Sequence, residues 1–205
     1  MEDGTKVGES LTTHSFVANG KAVKGTVIDT YSSEGACFIE NEIIGADPEI
    51  IPYMWNGRGN KPYDFKTRDI KENKGEQSAL QYMYRGSMTS DGKMASARDF
   101  GNLGAGIVAG RFGLGWGGSR FGFDALQSWQ DSRLERGYLE IGDGYLSYIF
   151  FNFTWSVEGI PTQKAQYIGW LIGVELYNKD IEKLYQPYKA PANQVYWTTY
   201  PYYRP

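Results

Sequence analysis

The run Ala95-Ser-Ala-Arg-Asp-Phe-Gly-Asn-Leu-Gly-Ala-Gly-Ile-Val-Ala-Gly-Arg111, then Phe112-Gly-Leu-Gly-Trp-Gly-Gly118 and Ser119-Arg-Phe-Gly-Phe-Asp-Ala-Leu-Gln-Ser-Trp-Gln-Asp131, decides the fold. Nine of the chain's 26 glycines fall between Gly101 and Gly122. Phe100, Leu103 and Ile107 form an apolar stripe at helical spacing, with Asp99, Asn102 and Gly106 on the neighbouring face and Arg98 one turn before Asn102. Each glycine costs a helix roughly 0.5–1 kcal/mol relative to alanine, so this density needs an offsetting gain. Close backbone approach supplies one. The stretch predicts a helical hairpin, about 96–111 and 118–131, hinged at Phe112–Trp116, with polar side chains presented from a glycine-lined wall.

Working outward, Pro161 opens a third helix over about 161–178. Ala165, Ile168 and Ile172 make its core stripe, and Gln166, Gly169 and Gly173 share another face, as though it packs on the first two; Glu175 and Glu182 read as solvated. Upstream, Asn19-Gly20 signals a type I′ hairpin turn. Gly25–Tyr31 and Ala36–Ile39 read as further short strands, and 1–15 as a polar, frayed start. Residues 45–75 are rich in Pro and Gly; within them Pro62-Tyr-Asp-Phe-Lys66 alternates aromatic with charged residues. One reading is a half-buried strand with Asp64 and Lys66 in water; the other has both lining a cleft. A short helix over Gln77–Tyr84, turns at Thr89–Gly92 and Gly142–Gly144, and a buried strand over Tyr145–Trp155 complete the chain. The fold class expected is α+β: an N-terminal β-rich extension (1–50), a core of about three tightly packed helices (51–185), and a Pro- and Tyr-rich strap or tail (186–205).

Composition narrows the chemistry. A net charge of −3 and scattered basic residues supply no stripe for extended nucleic-acid binding. Cys37 and His14 are single, so an intrachain disulfide and a Cys/His zinc site are excluded by count, and His14, in a polar stretch, reads as an exposed bystander. Aromatic residues reach 16%, which serves either a core or a stacking surface for sugars, bases or a protein. The N-terminus carries no cleavable-signal pattern, and no stretch reaches the ~18 apolar residues of a membrane span.

Catalysis then falls to carboxylates. Asp99 with Asp64, or Asp99 with Asp124, could form a general acid/base pair, with Lys66 or Arg98 stabilising developing negative charge. Arg120, Asp124 and Gln127 share a helix face, and Arg98, Asn102, Gln163 and Gln166 interrupt helices that otherwise look buried; these seven are candidate substrate contacts. The bland alternatives are a surface Arg120–Asp124 ion pair and an Asp99 that only complements the helix dipole. Carboxylates suit glycosidic hydrolysis, or could hold a divalent metal for phosphodiester cleavage; spacing does not choose.

Tyr63-Asp-Phe-Lys66 followed by Arg98-Asp-Phe-Gly-Asn-Leu-Gly-Ala-Gly106 resembles the C-terminal toxin domains of bacterial polymorphic toxins, those carried by Rhs proteins and labelled polymorphic toxin type 44. Phe123–Gln127 and Glu158–Gln163 are similar to the same group, and the likeness covers about 60–175. It implies functional roles for Asp64, Lys66, Asp99 and Asn102. It also implies delivery by a specialised secretion system or a larger toxin protein, action in a target bacterial cell, and a cognate immunity protein. The expected function is an antibacterial effector that hydrolyses a cell-envelope polymer such as peptidoglycan. A toxin nuclease acting on RNA and a non-catalytic interaction module are the alternatives.

Overall fold

The computed structural model describes residues 8–141, 144–152 and 155–185, with backbone alone at 130, 133–141 and 144–152. The architecture is α+β. A hairpin of β1 (Val17–Ala18) and β2 (Lys21–Ala22) turns at Asn19 and Gly20, both at positive φ, as the I′ signal requires. Next come α1 (Glu34–Cys37), a π-helix (Phe38–Gly45), α2 (Ile50–Asn56), α3 (Ile70–Asn73) and α4 (Ala79–Met83). The antiparallel pair β3 (Gly86–Met88) and β4 (Met94–Ser96) leads into α5 (Ala97–Arg111) and α6 (Trp116–Asp131). A long antiparallel hairpin of β5 (Arg133–Ile141) and β6 (Gly144–Asn152) precedes α7 (Ile160–Leu184).

Local chemistry sets these boundaries. The Ser96 hydroxyl caps α5 by accepting from Asp99 N–H at 3.2 Å, and Gly113 (φ +83°) turns the chain out of it. Ser78 and Gln81 form a reciprocal capping box on α4. Gly159 caps α7, with Pro161 in its first turn. Phe100, Leu103 and Ile107 are all buried, in one core with Phe38, Ile43, Tyr53 and Phe65. The Phe65 ring stacks on Phe38 at 4.6 Å and meets the edge of Phe100 at 5.9 Å.

Close backbone approach accounts for part of the glycine density. α5 packs along α7, backbone against backbone. A Cβ at Gly106 would strike the Gln166 carbonyl and lie 2.7 Å from Trp170 N; one at Gly110 would meet the Trp170 carbonyl and lie 2.9 Å from Val174 N. Gly169 and Gly173 face Leu103, Ile107 and Arg111 in return. The tight pair is thus the first and third predicted helices, whereas a Cβ at Gly117, Gly118 or Gly122 of the second, or at Gly115 before it, would meet no atom of the described residues within 4 Å.

Three other expectations are corrected. Ala36–Ile39 is helical, because Gly35 admits the Phe100 ring against its backbone and docks α1 on the core. Gly25–Tyr31 forms no strand; only Ile28 bridges, to Gly86. Pro62–Lys66 is a series of turns, with Asp64 as well as Phe65 buried. The proposed division at residue 50 runs through a shared core, since Phe38 and Ile43 pack with Phe65 and Phe100. The strand expected over 145–155 ends at Asn152, and Trp155, expected to be buried, is exposed beyond it; the turn at 142–144, the side-chain burial of 145–154 and the 186–205 strap lie outside the described residues or side chains.

Candidate functional site

The turn after α2 is pinned by Phe65, which is inserted between Phe38 and Phe100. This leaves Asp64 and Lys66 on either side of an anchored residue. Asp64 is 4% exposed; its Oδ2 accepts from Asn60 N–H at 3.1 Å and from the Thr67 hydroxyl, closing its own turn. Lys66 is exposed and makes no ion pair or side-chain hydrogen bond among the described residues.

Asp64, Lys66, Arg98, Asn102, Gln127 and Gln166 line one cleft, of about 110 Å³, between α2, α5 and α6. It opens into two groove sections of about 520 and 490 Å³. Lys66 and Arg98 border all three, so the cations stand at the junction of a continuous trough. Six of the ten predicted site residues meet here.

The other four sit behind the walls. Asp99 is fully buried: Oδ1 accepts from Arg98 Nη2 at 2.9 Å, and Oδ2 has no hydrogen-bond partner among the described residues. Burial raises its carboxyl above the ordinary range, against the pull of the Arg98 charge. Arg98 also donates to the Tyr84 hydroxyl at 2.9 Å and the His14 carbonyl at 3.2 Å, so its guanidinium is held rigidly. Arg120 pairs with Asp124 and donates to Gln166 Oε1 at 2.7 Å. Gln163 donates to the Glu158 carbonyl at 2.6 Å. Neither predicted acid pair, Asp64 with Asp99 nor Asp99 with Asp124, is therefore assembled in the cleft. Among the described residues no group of three or more His, Cys, Asp or Glu is placed to hold a metal ion.

Glu158 is the residue that sequence reasoning missed as a site. It borders both the cleft and the adjoining groove, one residue before the α7 cap. Its Oε2 accepts from Gln166 Nε2 at 2.5 Å and Arg120 Nη1 at 3.2 Å, and its N–H donates to Asp124 Oδ1 at 3.0 Å. Oε1 has no protein partner among the described residues. Burial raises the carboxyl pKa, the Gln166 and Arg120 contacts oppose this, and the Asp124 charge reinforces it. The legible signal was the buried amide of Gln166, two turns into a helix whose N-terminus follows Glu158. His14 also departs from its reading: half-buried, it borders the third section with Lys66 and Arg98.

No protein-family model, curated protein or solved structure matches the chain. Among the described residues no helix is long and apolar enough to cross a membrane.

Proposed function

We propose that the chain is an antibacterial effector domain that hydrolyses a polymer of the bacterial envelope, with Glu158 as the general acid. The observation that carries this reading is Glu158 itself: a carboxyl with a raised pKa, one oxygen fixed by Gln166 and Arg120 and the other without a partner among the described residues, beside the groove. Groups so tuned cluster at catalytic sites. The resemblance to polymorphic toxin domains supports the effector role, and the acidic pI of about 5.3 favours the envelope over RNA.

In this reaction the oxygen of a water molecule forms a bond to the electrophilic carbon, and its proton passes to the Asp64 carboxylate. The bond to the leaving oxygen breaks as that oxygen takes the Glu158 proton. Lys66 holds a substrate oxygen, and the clamped Arg98 fixes the chain across the trough. Asp99 acts through Arg98 as a positioning residue. Proton exchange with solvent then resets the two carboxyls. A metal bound through carboxylates is no part of this reading.

One observation favours nucleic acid instead: Lys66, unpaired among the described residues, and the cation of Arg98 meet at the groove junction, where a phosphate would fit. Expression of the domain in bacteria, once retained in the cytoplasm and once exported, separates the two. Killing only after export, and relief by Glu158→Gln, is expected. Killing from the cytoplasm with RNA degradation by the pure protein would overturn the envelope reading. A cognate immunity protein that blocks the trough is the partner this proposal implies.

A further inference from the structure

The cleft between α5 and α6 has two chemically distinct ends. Lys66, Arg98, Asn102, Gln127 and Glu158 border both this cleft and the adjoining groove, so they mark its mouth. Val108, Ala109, Phe123 and Leu126 border the cleft alone, so they mark its interior. From Asn102 to Ala109 along α5 is about 10 Å at the helical rise per residue. The Tyr53 hydroxyl, in the wall, is already committed to the Gly101 carbonyl at 3.5 Å. Asp64, Ser119 and Gln166 also border the cleft alone, but Asp64 Oδ2 accepts from Asn60 and Thr67, the Ser119 hydroxyl donates to the Gly115 carbonyl, and Gln166 is held by Arg120 and Glu158, so the apolar side chains are the larger free part of the interior.

Size and charge define the occupant. An apolar cavity of about 150 Å³ stays dry and binds benzene; this one, at about 110 Å³ and open at its mouth, accommodates a ring or branched alkyl group whose edge emerges into the groove. At the mouth the Lys66 ammonium and the Asn102 amide have no hydrogen-bond partner among the described residues. Both donate. Of the acidic neighbours, Asp64 has Oδ2 occupied by Asn60 and Thr67, and Glu158 has Oε2 occupied by Gln166 and Arg120.

We infer that this cavity binds a small apolar substituent, about the size of a benzene ring, whose carboxylate or acyl oxygen is held at the mouth by Lys66 and Asn102. Binding needs no turnover. The extension to the envelope hydrolase, that the bond it cuts is flanked by such a substituent, rests on the function proposed above.

Phenylacetate is the probe, with acetate for its head alone and toluene for its ring alone, each titrated into the full chain by NMR. Phenylacetate is expected to bind one site at least tenfold more tightly than either, with contacts from its ring to the Val108 and Leu126 methyls. Gly122→Leu builds into open space inside the cavity and is expected to weaken phenylacetate at least tenfold without lowering the Tm. Lys66→Met should weaken phenylacetate several-fold and leave toluene unchanged. Phenylacetate no tighter than acetate, or ring contacts at exposed Phe121 instead of Val108, overturns the inference. If Gly122→Leu does not fold, those ring contacts in the unmodified chain decide. Phenylacetate binding with hydrolysis indifferent to Glu158→Gln would support the pocket and sink the hydrolase; Glu158-dependent hydrolysis without phenylacetate binding would do the reverse.

Discussion

The two walls of the cleft are built from similar sequence and held by opposite means. In α5 Gly106 and Gly110 are buried against α7, where any side chain would collide with backbone, while Gly104 faces the Tyr53, Ile43 and Phe38 side chains and Gly101 opens on free space among the described residues. In α6 the glycines face open space, and the helix is secured instead by side chains. Arg120 reaches Glu158 and Gln166, the Ser128 hydroxyl takes the Ser156 N–H at 2.8 Å, and Trp116 packs on Tyr167 and Trp170. Glycine spacing alone therefore does not reveal whether a helix is tightly packed; what stands opposite it does. The catalytic arrangement proposed here lies where the walls meet, since Glu158 is gripped by α6 through Arg120 and by α7 through Gln166.

The sharpest break of this comparison is Arg120→Ala. It leaves the carboxylates of Asp124 and Glu158 without their cation in a largely desolvated site, a loss of about 3–5 kcal/mol. Hydrogen exchange should show α6 losing protection while α5 keeps it. Gly106→Ala attacks the other wall and should cost about 1–3 kcal/mol or more, read from the urea midpoint, because the obstruction is main chain that cannot rotate aside.

A smaller effect concerns Asp99. Burial raises its folded pKa above the ordinary 3.8, so the folded state holds the proton more tightly than the unfolded chain. The stability this gives is fully present below pH 3.8 and is lost as pH rises through the folded value. Urea titrations across this window should show that decline, at most about 1.4 kcal/mol per pH unit, in the unmodified chain. Asp99→Asn should lack that component. The smallest change expected is a gain: Gly117→Ala, in open helix surface, should stabilise by about 0.5–1 kcal/mol in the same assay. A loss there would mean that α6 is packed after all.

How much of this was legible depended on whether the deciding partner was near in sequence. The Phe100–Leu103–Ile107 stripe, the Asn19-Gly20 turn and the helix opening at Pro161 are local patterns, and each appears as read. Ala36–Ile39 was misread because its apolar residues suit a strand, while its helical course follows from Phe100 seating on Gly35, sixty-five residues away. Asp64 and Lys66 were found, but as part of a supposed strand, since the Thr67 and Asn60 contacts that curl the segment leave no periodic trace. Asp99 drew attention for its place in a buried helix, and that burial is what turns it away from the cleft. Glu158 carried no periodic pattern of its own, because Arg120, 38 residues upstream, and Gln166, in the next helix, define it jointly.

The central claim is that Glu158 delivers the proton. The rate at which purified cell-wall sacculi release soluble fragments, followed against pH for the unmodified chain and for Glu158→Gln, tests it most directly. The account predicts a rate that falls as pH rises through the raised Glu158 pKa, and a drop of about 10²–10⁴-fold in the folded variant. A Glu158→Gln protein that releases fragments as fast as the original, with the same pH profile, would contradict it.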